Sequence, residues 1–176
     1  MANKYSIKPS EITIGVDTRE QEGWTSELES QGFNVTTATL PTGDVTVLVP
    51  DLSNVVVIER KTLGDLVASI TQGRDRFSRE VFRMRAYRYP YLVIESTATS
   101  ILEHAYRSKT NELSVLGSLS RFASLGISVL FCDNRKAAAY MVGRLLFFIA
   151  NEIVGYSAQV FQQLEIKTKG KRNVAR

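Results

Sequence analysis

The chain has 176 residues, 44% hydrophobic and 23% charged, with a net charge of +4, a composition typical of one globular domain with a sizeable core. A single cysteine, Cys132, and a single histidine, His104, exclude an internal disulfide and the usual zinc ligand sets within one chain, so a bound metal would depend on carboxylates, as Mg²⁺ or Mn²⁺ does. No apolar run reaches the roughly 18 to 20 residues of a membrane span and the first residues lack a signal-peptide pattern, so we expect an intracellular protein, cytoplasmic or nucleoid-associated, without membrane contact.

The first third of the chain predicts short strands separated by turns. Apolar and β-branched runs predict strands at 12–16, 34–39, 44–49 and 55–61. A helix is expected over 23–30, because Gly32 follows as a stop signal. The turn cluster at 50–54 should join the third and fourth strands into an antiparallel hairpin.

The remainder alternates helices with strands. Thr62 has the pattern of a helix N-cap, with Asp65 three residues later completing a capping box. Further helices are predicted at 77–88, 111–125 and 134–152, and strands at 91–95 and 128–131, with Pro90 closing the first of these helices. This order predicts an α/β fold with a mixed central β-sheet flanked by helices, formed by residues 1–156, and a loosely ordered basic C-terminal tail at 157–176.

Two carboxylates and a lysine form the candidate site. Side chains alternate along a strand, so Glu59 and Lys61 share one face. If Val49 pairs with Asn54, Asp44 falls opposite Glu59 and the pair can bind a divalent cation, whereas a register slip of one residue would separate the two acids.

Lys61 would then orient a water or stabilise charge in the transition state, and Asp17 would complete a second metal site. For an isolated acid-x-Lys pattern, a turn followed by a solvated strand end is the competing interpretation.

The motif resembles a specific family. The segment GDVTVLVPDLSNVVVIERKTLGD, preceded by VDTRE and followed by LVASITQGRDRF, is similar to the nuclease domain of the XPF/Mus family, whose hallmark is GD, a short gap, ERK, three residues and Asp. The resemblance is strong over 14–95 and weaker to about residue 152. It implies a restriction-endonuclease-like (PD-(D/E)XK) core that cuts branched, flapped or forked DNA in repair or recombination. It also implies a role for each motif residue: Asp44 and Glu59 ligate Mg²⁺ or Mn²⁺, Lys61 assists the chemistry, and Asp17, Arg60 and Asp65 support the site.

Basic residues form two clusters that favour DNA contacts. Arg76, Arg79 and Arg83 lie three and four residues apart on one helical face, and Arg74 matches the family's GR element. The alternative is a solvated face in which acidic neighbours pair with these arginines. The predicted contacts in the C-terminal tail are Lys167, Lys169, Lys171 and Arg172.

The stretch 137–153 is apolar nearly all round, and together with the family resemblance this predicts a homodimer through the long helix. Relatives usually carry tandem helix-hairpin-helix repeats, whereas only about 20 residues follow the long helix here, so we expect a stand-alone nuclease domain without a small-molecule cofactor. Two alternative functions remain open, a catalytically idle DNA-binding subunit and a sequence-specific restriction nuclease.

Overall fold

A computed structural model describes the backbone of residues 6–20 and 23–174 and the side chains of 6–20, 23–158 and 160. The strands are β1 (Thr13–Asp17), β2 (Asn34–Ala38), β3 (Val45–Val49), β4 (Val56–Lys61), β5 (Tyr89–Ile94) and β6 (Ser128–Phe131). The helices are α1 (Thr25–Glu29), α2 (Leu63–Ile70), α3 (Arg74–Met84), α4 (Ala98–Leu102), α5 (Glu112–Ser124) and α6 (Arg135–Val174). A short 3₁₀ turn at Pro9–Glu11 precedes β1.

The strands form one mixed sheet in the order β2-β1-β3-β4-β5-β6. Strands β1 and β2 are parallel, β3 is antiparallel to both of its neighbours, and β4, β5 and β6 are parallel. Helices α1 and α6 pack on one face of the sheet, and α2, α3, α4 and α5 pack on the other. Each face has one apolar cluster between the sheet and its helices. The predicted mixed sheet flanked by helices is therefore confirmed.

The register between β3 and β4 decides the site. Val45 pairs with Ile58, which is the same alignment as pairing residue 49 with residue 54. Asp44 precedes this pair and donates its N–H to the carbonyl of the same Ile58 at 2.8 Å, while its carboxylate accepts the N–H of Arg60. Asp44 therefore lies next to β4 at Glu59, and its direct pairing with Glu59 stays a prediction. The connection at 50–55 is longer than a tight hairpin, and Leu52 donates its N–H to the carbonyl of Val47 at 3.2 Å.

The end of α3 and the region after β5 differ from the sequence prediction. Pro90 does not end a helix; it lies inside β5 opposite Val57, while α3 ends at Met84. Its missing N–H is tolerated because β6 pairs only from Tyr91 onwards. The short helix α4 was not predicted; Thr97 caps it by accepting the N–H of Ser100 at 3.0 Å.

Helix α6 differs most from expectation. The predicted end near residue 152 and the loosely ordered tail are wrong for the backbone, because the helix continues to Val174. Its segment Arg135–Ala158 has the length and composition of a membrane span. Ala138, Val142 and Leu146 on this segment are fully buried against the sheet, so core packing accounts for its apolar character.

Candidate active site

Gly43 brings the chain into the site beside β4. It has a φ of 73°, and a Cβ atom built on it would lie 2.9 Å from the carbonyl oxygen of Ile58 and closer still to the Val57 side chain. Only glycine allows this approach without displacing β4. As a result, Asp44 donates its N–H to the Ile58 carbonyl at 2.8 Å, and its Oδ2 accepts the N–H of Arg60 at 2.7 Å. The close approach of Gly43 to β4 thus positions the Asp44 carboxylate next to that strand.

Glu59 is a buried acid with one unsatisfied oxygen. The residue is 2% exposed. Its Oε1 pairs with the ammonium of Lys61, on the same face of β4 as predicted. Its Oε2 has no hydrogen-bond partner among the described residues. A buried carboxylate oxygen without a donor is costly, and a cation held between Glu59 and Asp44 would remove that cost.

Burial and neighbouring negative charge suppress the ionisation of both acids. Burial raises the pKa of Asp44 to about 6, although the N–H of Arg60 and the charge of Lys61 oppose this shift. Burial and then the charge of Asp44 raise the pKa of Glu59 to about 8. Burial works against the charged form of Lys61, but its attraction to Glu59 and Asp44 prevails and the pKa of Lys61 rises. The lysine therefore stays protonated beside a pair of acids that resist carrying two charges.

A third acid that sequence reasoning missed acts on this pair. The negative charge of Glu80 on α3 raises the pKa of both Asp44 and Glu59. Glu80 lies on the helical stripe that includes the buried Phe77, Val81 and Met84. An acid among apolar positions at spacings of three and four was the sequence signal for an inward-facing carboxylate.

The side chain of Arg60 lies in a buried network on the opposite face of β4. Its Nε and Nη2 donate to the two carboxylate oxygens of Glu95, both at 2.8 Å. The indole N–H of Trp24 donates to the same carboxylate at 2.7 Å, and Glu20 accepts from Arg60 at 3.3 Å. Because the N–H of Arg60 holds Asp44, this network fixes the strand that positions the acid pair.

Asp17 lies beside the site, but both of its carboxylate oxygens already accept hydrogen bonds from Arg19 and Leu40. Its Oδ1 accepts from the backbone N–H and Nε of Arg19 at 2.8 and 2.6 Å, and its Oδ2 accepts from Arg19 Nη2 at 3.0 Å and from the N–H of Leu40 at 2.8 Å. The hydrogen bond to the Arg19 side chain is the main cause that lowers the pKa of Asp17 to about 2. A metal ion on Asp17 would have to displace these donors, so its part in a metal site stays a prediction. Its N–H donates to the Asp44 carbonyl at 2.8 Å, which anchors the loop that carries Asp44.

The predicted N-cap of Thr62 is confirmed and lies at the mouth of the site, but the capping box is incomplete, because the Asp65 carboxylate accepts from the Thr62 hydroxyl and not from its backbone N–H. The hydroxyl of Thr62 accepts the N–H of Asp65 at 3.2 Å and donates to the Asp65 carboxylate at 2.6 Å. Asp65 also lines an open cleft of about 820 Å³, which we call the Lys61 cleft. The cleft is lined by Glu20, Arg60, Lys61, Asp65, Ala68, Ser69, Gln72, Gly73 and Arg76. Asp65 is therefore a helix cap that also borders the space next to Lys61.

The predicted DNA-binding arginines follow one another along α3. All four side chains are exposed, at Arg74, Arg76, Arg79 and Arg83. Arg76 lines the Lys61 cleft, and Arg74, Arg76 and Arg79 line a second depression next to it. The predicted tail residues lie outside the described side chains: Lys167, Lys169, Lys171 and Arg172.

The residues present fit a hard divalent cation. No group of three or more His, Cys, Asp and Glu side chains is placed to hold a metal within the described part of the chain. Asp44 and Glu59 nevertheless offer two carboxylates, one with an unsatisfied oxygen. Mg²⁺ commonly binds through one or two carboxylates and keeps several waters, so this pair suffices.

The chain is similar to proteins of known family and structure. The family model for the ERCC4 domain matches residues 16–145. No curated protein matches the chain. Among solved structures, XPF from Aeropyrum pernix is similar, with a TM-score of 0.65 and 23% sequence identity over 89% of this chain and 73% of that chain. The likeness to the archaeal protein extends the agreement from the motif to the fold.

Proposed function

This chain belongs to the ERCC4 domain family, and on that premise we propose that it is a metal-dependent endonuclease that hydrolyses phosphodiester bonds in DNA. The observation that carries the proposal is the buried Glu59 oxygen that has no donor among the described residues. The same acid pairs with Lys61, which lines an open cleft, and the charge of Asp44 acts on it. We assign the activity to residues 1–156, with 157–176 as a basic extension.

Asp44 and Glu59 would hold Mg²⁺ or Mn²⁺. When bound, such an ion polarises a phosphoryl oxygen and lowers the pKa of a bound water. The N–H of Arg60 keeps the Asp44 carboxylate turned towards β4. Lys61, held by Glu59 and charged, would orient the attacking water or stabilise negative charge on the phosphate as it develops.

The substrate we propose is branched, flapped or forked DNA in repair or recombination, which implies an intracellular location. The exposed arginines of α3 begin at the Lys61 cleft and continue away from it, so they can neutralise successive phosphates of a strand whose scissile bond lies at Lys61.

A panel of labelled duplex, single-strand, flap, fork and four-way DNA tests the proposal in Mg²⁺. Cleavage of branched substrates by the parental protein but not by Glu59→Gln supports it. Glu103→Gln, at an exposed acid outside the site, is the matched control and should cut normally. If no substrate is cut but DNA is bound, the protein is an idle binding subunit. Cutting that depends on base sequence rather than on a branch would identify a restriction nuclease.

We further propose that the protein is a homodimer through α6. Met141, Phe148 and Tyr156 are 52%, 59% and 70% exposed, and their spacings of seven and eight place them along one side of the helix. Exposed apolar side chains aligned in this way are typical of a subunit interface. Leu146, by contrast, is buried in the core of its own chain.

Charge on this side should separate the subunits. We expect the double substitution Met141→Lys and Phe148→Lys to convert a dimer into a folded monomer, measured by size exclusion with light scattering. Leu102→Lys, on the exposed side of α4, is the control and should leave the mass unchanged. A monomeric mass for the unaltered chain across micromolar concentrations contradicts the dimer.

A further inference from the structure

A groove between α3 and α5 has a composition unlike the Lys61 cleft. Its volume is about 450 Å³ and its lining is mostly apolar. We call it the Phe82 groove; it is lined by Ser78, Arg79, Val81, Phe82, Arg83, Arg121, Phe122 and Leu125. No carboxylate is among the described residues that line it, whereas Glu20 and Asp65 line the Lys61 cleft.

Phe82 is the exposed aromatic of this groove. It is 67% exposed on α3, although the neighbouring Val81 and Phe122 are buried. The guanidinium of Arg85 lies over its ring, 5.3 Å from the centroid. Contact with an arginine leaves most of the phenyl surface open to solvent, so a flat ligand can still stack on it.

The positive charges around Phe82 indicate the chemistry of the ligand that the groove can bind. Arg79, Arg83 and Arg121 are exposed and bring positive charge from two helices to one apolar groove. Arginines around an exposed aromatic ring suit a ligand that carries both phosphates and flat unsaturated rings. Single-stranded nucleic acid has this chemistry, whereas the bases of a duplex are stacked on each other and offer no free face.

The groove is continuous with the candidate active site. Arg79 lines both the Phe82 groove and the depression next to the Lys61 cleft, and Gln72, Gly73 and Arg76 line both that depression and the cleft itself. A strand that leaves Lys61 can therefore follow α3 to Phe82 while staying next to arginines.

We propose that the Phe82 groove binds an unpaired nucleotide of the single-stranded arm of a branched DNA substrate. Phe82 stacks on a base, and Arg79, Arg83 and Arg121 contact the flanking phosphates. The inference rests on the proposed nuclease function, and it assigns the recognition of the unpaired arm to a surface of this domain.

A binding experiment without divalent metal isolates this groove from catalysis. Two fluorescent duplexes are compared in EDTA, one with a single-stranded thymidine arm and the other with an abasic arm of equal length, which keeps the phosphates but lacks the bases. The full chain should bind the thymidine arm about tenfold more tightly, the range of one stacked base. Phe82→Ala should bind both arms equally, and Phe82→Trp should keep the preference.

The remaining variants separate stacking from charge. Leu113→Ala, at a residue 71% exposed near the other end of α5, is the matched control and should keep the preference. Arg121→Ala should weaken binding to both arms and reduce the salt dependence, because it removes a phosphate contact and no stacking surface.

Two outcomes would overturn the inference. The first is a Phe82→Ala protein that keeps the parental preference for bases, and a change of its mass in light scattering would then make the groove a protein interface. The second is a parental protein without that preference. Cleavage in Mg²⁺ is scored separately: a chain that prefers bases but never cuts refutes the nuclease proposal alone, and a chain that cuts but shows no effect of Phe82 refutes the groove alone.

Discussion

The two faces of β4 treat buried charge in opposite ways. On one face, Arg60 is buried but bonded to Glu95 through two hydrogen bonds of 2.8 Å. On the other face, Glu59 is equally buried and keeps an oxygen without a partner among the described residues. A buried charge whose hydrogen bonds are all made costs the fold little, whereas a buried carboxylate oxygen left without a donor makes the free protein less stable and creates an affinity for a cation. Adjacent residues of one strand thus serve structure and chemistry separately.

Breaking the paired face should have the largest effect on stability. Glu95→Ala removes the acid that binds both Arg60 and Trp24, which leaves a buried guanidinium without its main counter-charge. We expect the free energy of unfolding to fall by about 3 to 5 kcal/mol, measured by urea denaturation. Glu103→Ala on the surface should change it by less than about 0.5 kcal/mol. Equal stability of the two variants would show that the network is not a structural element.

Breaking the unpaired face should affect activity instead. Glu59→Gln keeps the shape of the side chain and removes the charge that would hold the metal, so single-turnover cleavage in Mg²⁺ should fall by a hundredfold or more, about 2.7 kcal/mol on the barrier. The free energy of unfolding should hold, because the pKa of Glu59 is already raised to about 8 and the amide oxygen of the glutamine can still accept from Lys61. A folded Glu59→Gln protein that cuts at the parental rate would contradict the site.

Lys61 lies on the same face as Glu59, and its substitution should separate cleavage from metal binding. Lys61→Ala should reduce cleavage by about a hundredfold, because it removes the group assigned to the water or to the developing charge. Metal binding, followed by the effect of Mn²⁺ on the melting temperature, should remain close to that of the parental protein. Loss of metal binding together with cleavage would instead assign Lys61 to holding Glu59 in place.

A change of pH alters no residue and should have the smallest effect. It should act on the acids of the Glu59 face, whose pKa values are raised. Burial raises the pKa of Glu59 from 4.5 to about 8 and that of Asp44 from 3.8 to about 6. Between the ordinary and the raised pKa of each acid, the folded protein holds the proton more tightly than the unfolded chain does. Stability of the metal-free protein should therefore decline as pH rises from about 4 to 8. Asp17, with its pKa lowered to about 2, acts in the opposite direction and only below about pH 4.

Melting temperatures in EDTA at pH 5 and pH 8 measure this effect, and each kcal/mol should correspond to roughly 2 to 4 °C. Mg²⁺ should restore stability at pH 8, where the acids are ionised and ready to bind. Glu59→Gln should flatten the pH profile and Glu103→Gln should not. A parental profile that is flat between pH 5 and 8 would show that the acid pair is well solvated.

The sequence carried most of the site because the motif is local. Alternation along β4 placed Glu59 and Lys61 on one face, and the pairing of Val45 with Ile58 agrees with the register predicted for the β3–β4 pair. Pro90 was misassigned because its tolerance in β5 depends on where β6 begins, which is decided 38 residues later along the chain. Glu95 and Trp24 were not recognised because their contacts span 35 and 71 residues, and no local pattern encodes such partners.

Gly43 has a left-handed backbone conformation. The site therefore depends on a glycine at this position as well as on its charged residues. A single methyl group at this position would meet the backbone of Ile58 and push the Asp44 loop away from β4. A copy of this chain could thus become inert while every acid, lysine and arginine of the motif stays in place. Sorting active chains from inactive ones by their charged residues alone would misclassify such a copy, whereas inspection of one backbone angle would detect it.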